Sequence, residues 1–155
     1  KAICLDIRNE KELKNAFNVL SKRLKTKLNI DGFIVEKYMP GPEVIIGANK
    51  HNTFGSLIFL GSGGILVELT KDIQMRLAPI NYNTAKEMIR ELKGKKLLDG
   101  YRKREKTDIQ NLAKILCKIS EIIHLYKDNI EEIEINPLIF SQGRWRVADC
   151  LIKLC

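Results

Sequence analysis

The sequence predicts an α+β chain, a mainly antiparallel sheet with helices packed on one face. Three observations predict it. Between Phe33 and Leu69, β-rich runs follow one another with only short turn-forming stretches between them, which favours antiparallel neighbours. Amphipathic helical patterns occur at several points but do not alternate strictly with the strands. The chain closes on two further β-rich stretches joined by Gln142-Gly143, a short turn signal.

Each element has its own justification in the residues. Ala2 to Ile7 alternates like a short strand. Asn9 can then cap a helix, with Glu12 three residues later completing a capping box. Leu13, Phe17, Leu20 and Leu24 recur at helical spacing, so residues 10–25 read as an amphipathic helix that Asn29 to Gly32 breaks. Phe33 to Met39 is a β-rich run stopped by Pro40-Gly41-Pro42. Glu43 to Ala48 starts the next strand, Asn49 to Asn52 turns the chain, and Ser56 to Leu60 forms a third strand. Gly61-Ser62-Gly63-Gly64 interrupts it before Ile65 to Leu69, and Ile73 to Leu77 is one more strand. After Pro79, Asn83 or Thr84 opens a helix through Leu92 that Gly94 terminates. Leu97 to Arg104 is an irregular link with a basic cluster. Thr107 or Asp108 caps the longest helix, which carries Ile109, Leu112, Ile115, Leu116, Ile119, Ile122 and Ile123 along one stripe and runs to about Tyr126.

A chain of 155 residues suits one ordinary domain or two small lobes. Apolar content of 45% with 30% charged residues is that of a globular protein, not a disordered one. No apolar run approaches the roughly 18 residues that span a bilayer, and no charged-then-apolar leader opens the chain, so a cytoplasmic protein without a membrane partner is expected. The start at Lys1, without methionine, suggests a mature subunit or one piece of a longer polypeptide. Net charge of +8 attracts nucleic acid, anionic membrane or phosphorylated small molecules. The basic residues of Lys11–Lys27 and Lys86–Lys106 are interleaved with acidic ones, however, and no nucleic-acid-binding spacing appears. A basic interaction domain is the bland alternative. Cys4, Cys117, Cys150 and Cys155 lack metal-ligand spacing and read as reduced, mostly buried thiols. His51 and His124 read as surface residues.

The chemistry concentrates near the C-terminus, in Glu132-Ile133-Glu134-Ile135-Asn136-Pro137-Leu138 and the later Val147-Ala148-Asp149. Strand alternation puts Glu132, Glu134 and Asn136 on one face. If Gln142-Gly143 is a two-residue loop, Ser141 pairs with Arg144 and Asn136 falls opposite Asp149, their Cβ atoms roughly 5 Å apart. Two hard oxygen ligands then stand side by side, with a third carboxylate at Glu134, a set suited to magnesium completed by substrate phosphates and water. A three-residue loop would set Asp149 against Ile135 and destroy the site. On these residues alone, a solvated polar face of an amphipathic hairpin is the alternative. Upstream, the Pro-Gly-Pro corner leaves the backbone of Lys37 to Met39 partly unpaired beside an apolar wall, as an adenine ring requires, and Glu43 could accept ribose hydroxyls; on these residues alone an edge strand and a tight turn with ordinary surface charges is the favoured reading. Gly61-Ser62-Gly63-Gly64 lets backbone amides approach phosphate, or is a simple glycine-rich turn. Arg76 could meet phosphate as a bidentate fork, or is a surface arginine.

Taken in order, these stretches resemble the ATP-grasp fold, and specifically the ATP-grasp subunit of nucleoside-diphosphate-forming acyl-CoA synthetases of the acetate–CoA ligase (ADP-forming) type. The resemblance rests on Glu36-Lys37-Tyr38-Met39-Pro40-Gly41-Pro42-Glu43, Gly61-Ser62-Gly63-Gly64-Ile65-Leu66-Val67-Glu68, Arg76-Leu77-Ala78-Pro79, Leu97-Leu98-Asp99-Gly100-Tyr101-Arg102, Glu134-Ile135-Asn136-Pro137-Leu138 and the late Asp149, and covers nearly the whole chain. It implies that Glu36 and the backbone of Lys37, Tyr38 and Met39 hold adenine, that Glu43 holds ribose, and that Asn136 and Asp149 bind magnesium near the phosphates of ATP or ADP. Glu134 would lie beside the metal, where related succinyl-CoA ligases steady a phosphohistidine with a glutamate. Arg76 and the Gly61–Gly64 turn, with Gly63 and Gly64, would face the phosphates.

The implied reaction converts acyl-CoA, ADP and phosphate to acid, CoA and ATP through a phosphohistidine relay, with a CoA-binding subunit or fused domain as partner. Residues 1–30 would end the first ATP-grasp lobe, and residues 31–155 would form the second, with its hinge, Gly-rich turn and metal hairpin. Three departures accompany the resemblance. Lys1 and Ala2 stand where two glycines are expected, which places the phosphate-carrying histidine upstream. Lys103 replaces a glycine, and neither His51 nor His124 lies at the relay position. This chain alone is therefore not expected to turn over. The alternative from another class is a non-catalytic ATP-grasp-like module of a larger protein, such as a protein acetyltransferase.

Overall fold

The computed structural model describes residues 2–24, 30–63, 71–100 and 106–155. The chain forms two compact units, Lys1–Met39 and Pro40–Cys155. The first contains helix α1 (Glu10–Leu24). Asn9 caps it as expected: its Oδ1 accepts from the Glu12 amide at 2.9 Å, and Glu12 reaches back to the Asn9 side-chain amide and to the Arg8 backbone amide. Phe17 meets Phe33 edge to face at 5.1 Å. The strands expected at Ala2–Ile7 and Phe33–Met39 do not form. Their composition suits a strand, but a strand exists only with a ladder partner, and among the described residues this unit offers none.

The second unit carries β1 (Glu43–His51), β2 (Gly55–Ser62), β3 (Ile73–Leu77), α2 (Tyr82–Glu91), the single turn α3 (Lys95–Leu98), α4 (Ile109–Leu125), β4 (Ile130–Ser141), β5 (Arg144–Val147) and β6 (Cys150–Leu154). Its six-stranded sheet has the order β3-β2-β1-β4-β5, with β6 also paired to β4, and every pairing is antiparallel. Helices α2 and α4 pack on one face of it. This is the α+β architecture the sequence implies. β2 runs straight through Gly61 and Ser62 instead of stopping before them, and β1 continues to His51, so the turn falls at residues 52–54 and not at Asn49 to Asn52. The strand expected at Ile65–Leu69 lies outside the described residues.

Alternation along β1 decides the two faces of the sheet. Val44, Ile46 and Ala48 are buried under the helices, beside Ile58 and Leu60 of β2 and Ile133, Ile135 and Leu138 of β4. Met88 and Ile89 of α2 and Leu112, Leu116 and Ile123 of α4 close this core. Each Val, Leu, Ile or Met side chain here contributes roughly 1.5–3 kcal/mol when fully buried. Buried hydroxyls tie the elements together: Ser56 Oγ of β2 donates to the Ile123 carbonyl of α4 at 3.3 Å, Ser120 Oγ accepts from the Ile80 amide at 3.1 Å, and Thr107 Oγ1 donates to the Leu98 carbonyl at 3.0 Å. Asn81, not Asn83 or Thr84, caps α2 through the Thr84 amide, while Asp108 caps α4 through the Asn111 amide, as expected. α2 ends because Leu92 turns extended, at φ −60 and ψ 130. Gly94 is thus not a left-handed terminator; it is glycine because a Cβ would collide with Ser62 Oγ.

Candidate functional site

The hairpin register follows from its turn. Gln142 and Gly143 both have positive φ, 54° and 73°, the backbone of a two-residue type I′ loop whose twist matches its strands. Ser141 accordingly pairs with Arg144, Phe140 with Trp145, Ile139 with Arg146 and Leu138 with Val147. The same register resumes at Ile135 and Cys150. Between these segments the Asn136 amide donates to the Asp149 carbonyl at 3.2 Å, and the Ala148 amide to the Pro137 carbonyl at 3.0 Å. Asn136 therefore stands opposite Asp149. On the other edge of β4 the register to β1 shifts between Val44 and Ile46, so Asn136-Pro137 form a bulge where Pro137, lacking an N–H, is accommodated.

Two hydrogen bonds orient the paired side chains. Asn136 Nδ2 donates to Glu134 Oε1 at 3.0 Å. An ionised carboxylate only accepts, so this contact fixes the amide with its carbonyl Oδ1 turned away from Glu134. Asp149 Oδ1 accepts from the Cys150 amide at 2.8 Å, which ties one carboxylate oxygen to the backbone. Glu134 lies opposite Gly47 and Leu151, on the sheet face that, among the described residues, no helix of this unit covers. The same face carries Glu43, Ile45, Phe59 and Met75 from neighbouring strands.

Glu43 opens β1 and is held from both sides. Its carbonyl accepts from the Gly63 amide at 3.0 Å, and across β4 it pairs with Ile139. Gly63 packs so closely that a Cβ there would lie 2.6 Å from Glu43 C. Gly41 is constrained too, because a Cβ would strike the Phe140 carbonyl while the Phe140 amide donates to Pro42 O at 2.9 Å. The Pro-Gly-Pro corner is thus a close crossing over β4, and only glycine fits its centre. The row Glu43–Ile139–Arg146 runs across three strands and brings in Arg146, which the sequence reading did not single out.

The other expected site residues fall elsewhere. Arg76 projects to the helix face, where its guanidinium donates to Glu91 Oε2 at 2.6 Å and to the Met75 carbonyl at 2.8 Å. The structure does not bring it to the hairpin. Glu36, Lys37 and Tyr38 are exposed and Met39 is half-buried, all within the first unit. Gly64 lies outside the described residues. Cys4, Cys150 and Cys155 are exposed and only Cys117 is partly covered, contrary to the expected burial; β6 is an edge strand with all five residues exposed. Among the described residues, no group of three or more His, Cys, Asp or Glu side chains is arranged to hold a metal. Nor is any helix among them long and apolar enough to cross a membrane.

One buried acid escaped the sequence reading. Asp72 is 2% exposed, and it accepts from Ser62 Oγ, from the Lys93 amide at 2.9 Å and from the Gly94 amide at 2.8 Å. Burial raises its pKa, but the Ser62 hydroxyl, the Gly94 and Lys93 amides and the Lys93 charge outweigh that, leaving it below the usual carboxylate value. No local pattern marks it, because its partners lie ten to twenty-two residues away.

Compared with known proteins, the chain matches the ATP-grasp domain family over residues 1–154. It is 34% identical to the beta subunit of acetate–CoA ligase (ADP-forming) II of Pyrococcus furiosus, covering 96% of this chain and 65% of that subunit. It is 36% identical to the 4-hydroxybutyrate–CoA ligase (ADP-forming) of Nitrosopumilus maritimus, covering 97% of this chain and 22% of that protein. Among solved structures, it aligns with the dinucleotide-forming acetyl-coenzyme A synthetase 1 of Ca. Korarchaeum cryptofilum in complex with coenzyme A and Mg-AMPPCP. The TM-score is 0.75 at 31% identity, over 98% of this chain and 67% of that one.

Proposed function

The chain belongs to the ATP-grasp domain family, and on that premise we propose that it forms the nucleotide- and magnesium-binding part of an ADP-forming acid–CoA ligase. The reaction is acyl-CoA plus ADP and phosphate giving acid, CoA and ATP, with the phosphate carried by a histidine supplied from outside this chain. The relatives support this reading: they are ADP-forming acid–CoA ligases, and this chain spans from about a fifth to about two thirds of their length. They occur both as separate beta subunits and as longer single chains, so the CoA-binding partner is either a second subunit or a fused domain. Residues 1–30 would end the first lobe and 31–155 would form the second, with the Lys37–Met39 backbone as hinge.

The single observation that carries the reading is the hairpin register that sets Asn136 opposite Asp149. The donor set suits magnesium: an amide carbonyl turned away from Glu134 and a carboxylate held through one oxygen, both on exposed residues that phosphate and water oxygens can reach. Magnesium bound there would neutralise and align the nucleotide phosphates. Glu43 would accept the ribose hydroxyls, while Glu36 and the backbone through Met39 hold the adenine. Glu134, beside Asn136, would steady the arriving phosphoryl carrier. A phosphate role for Arg76 requires its guanidinium to leave Glu91, and the Gly63 amide already serves Glu43. The geometry supports these two assignments least. The protein would act by orientation and charge neutralisation, as phosphoryl transfer demands.

Calorimetry on the intact protein with ADP, with and without magnesium, tests this reading. Binding should strengthen at least tenfold on adding magnesium; equal affinity in its absence would contradict the reading.

A further inference from the structure

We propose that Asp72 is a positioning residue for the nucleotide site, acting through Ser62 and Gly63 on the backbone at Glu43. The proposal rests on the reading of Glu43 as a nucleotide contact. Removing a carboxylate from water is costly unless its oxygens are satisfied, and Asp72 recruits three donors from two separate places to satisfy them. Ser62 ends β2, while Lys93 and Gly94 join α2 to α3. The main chain doubles the link, since the Ser62 amide donates to the Asp72 carbonyl at 3.1 Å. Gly94 must be glycine to let Ser62 come so near. The acid therefore immobilises Ser62 through both its hydroxyl and its backbone.

Ser62 is also where the β1–β2 ladder ends, in the Val44–Ser62 pair. Beyond it, among the described residues, the Gly63 amide holds Glu43 from the β2 side by donating to the Glu43 carbonyl. Gly63 lies so close to the Glu43 backbone that rotation at Ser62–Gly63 must displace the residue that opens β1. Strand ends fray unless tied, and here the tie runs from a buried charge to the carboxylate-bearing residue on the bare face. Asp72 touches no ligand in this scheme. It fixes where Glu43 stands.

The test is a double-mutant cycle in the intact protein, read as the dissociation constant for Mg-ADP beside the melting temperature. Asp72→Asn keeps the shape and one acceptor but turns an N–H₂ toward donors. It should weaken Mg-ADP about tenfold, as loss of a charged hydrogen bond would, in protein that still melts cooperatively. Glu43→Ala should weaken Mg-ADP as well, and the double variant should be no weaker than Glu43→Ala alone. Losses that multiply in the double variant, or an Asp72→Asn protein that binds like the parent, would overturn the proposal. A silent Glu43→Ala overturns it by a separate route, by removing the ribose reading beneath it. If Asp72→Asn does not fold, Ser62→Ala, which removes one donor only, enters the same cycle and is judged by the same outcomes.

Discussion

Asp72 shows how a single group can be followed from burial to stability. Its folded-state pKa is lowered, since hydrogen bonds and the Lys93 charge outweigh the penalty of burial. The stabilisation it provides is therefore fully present above its unfolded value of about 3.9 and is lost as pH falls through the lower folded value. Asp72→Asn should cost about 1–3 kcal/mol at neutral pH, because amide donors are left facing a donor. The difference from the parent should shrink as the solution is acidified below about pH 4. Urea unfolding at neutral and acid pH checks this, and a gap that stays constant would contradict it. Asp72 was invisible in the sequence because its meaning comes from Ser62 and Gly94, which only the fold brings to it. Asn136 and Asp149 were legible because one short turn determines how they pair.

Among the elements, the C-terminal hairpin was the most readable. Two residues between two β-rich runs select a type I′ loop, and counting outward from it gives every pair to Ile135–Cys150. Gln142 nevertheless has φ 54, a conformation that asparagine tolerates better. Gln142→Asn should stabilise the hairpin by about 0.5 kcal/mol or more without altering nucleotide affinity, since the register is unchanged. A melting curve together with the Mg-ADP affinity checks both halves; a stabilised protein with lost affinity would mean that the turn shifted. Capped helices were legible for the same local reason, to within a residue or two at α1 and α4. The failures were non-local. Phe33–Met39 has strand composition but no ladder partner among the described residues of its unit. Gly94 looked like a helix stop, whereas its glycine is required by the approach of Ser62. Cys150 looked buried because its strand is apolar, but β6 is an edge strand with all five residues exposed.

For the whole molecule, the positive charge left nucleic acid, anionic membrane and phosphorylated small molecules open and the ordered motifs pointed to a nucleotide, while the antiparallel sheet with helices on one face agrees with the family match. Of the expected site residues in the second unit, Glu43 opens β1, Glu134 and Asn136 lie on β4 and Asp149 lies between β5 and β6, whereas Arg76 turns to the helix side and pairs with Glu91. The central claim is that the Asn136–Asp149 pair holds the metal that the nucleotide phosphates need. Titration of Mg-ADP into the intact protein carrying Asn136→Ala or Asp149→Ala tests it most directly. Each variant should remain folded and lose at least about tenfold in magnesium-dependent affinity, the loss of one charged or metal-directed contact, while metal-free ADP binding stays as in the parent. Magnesium-dependent binding left intact by both substitutions would contradict it.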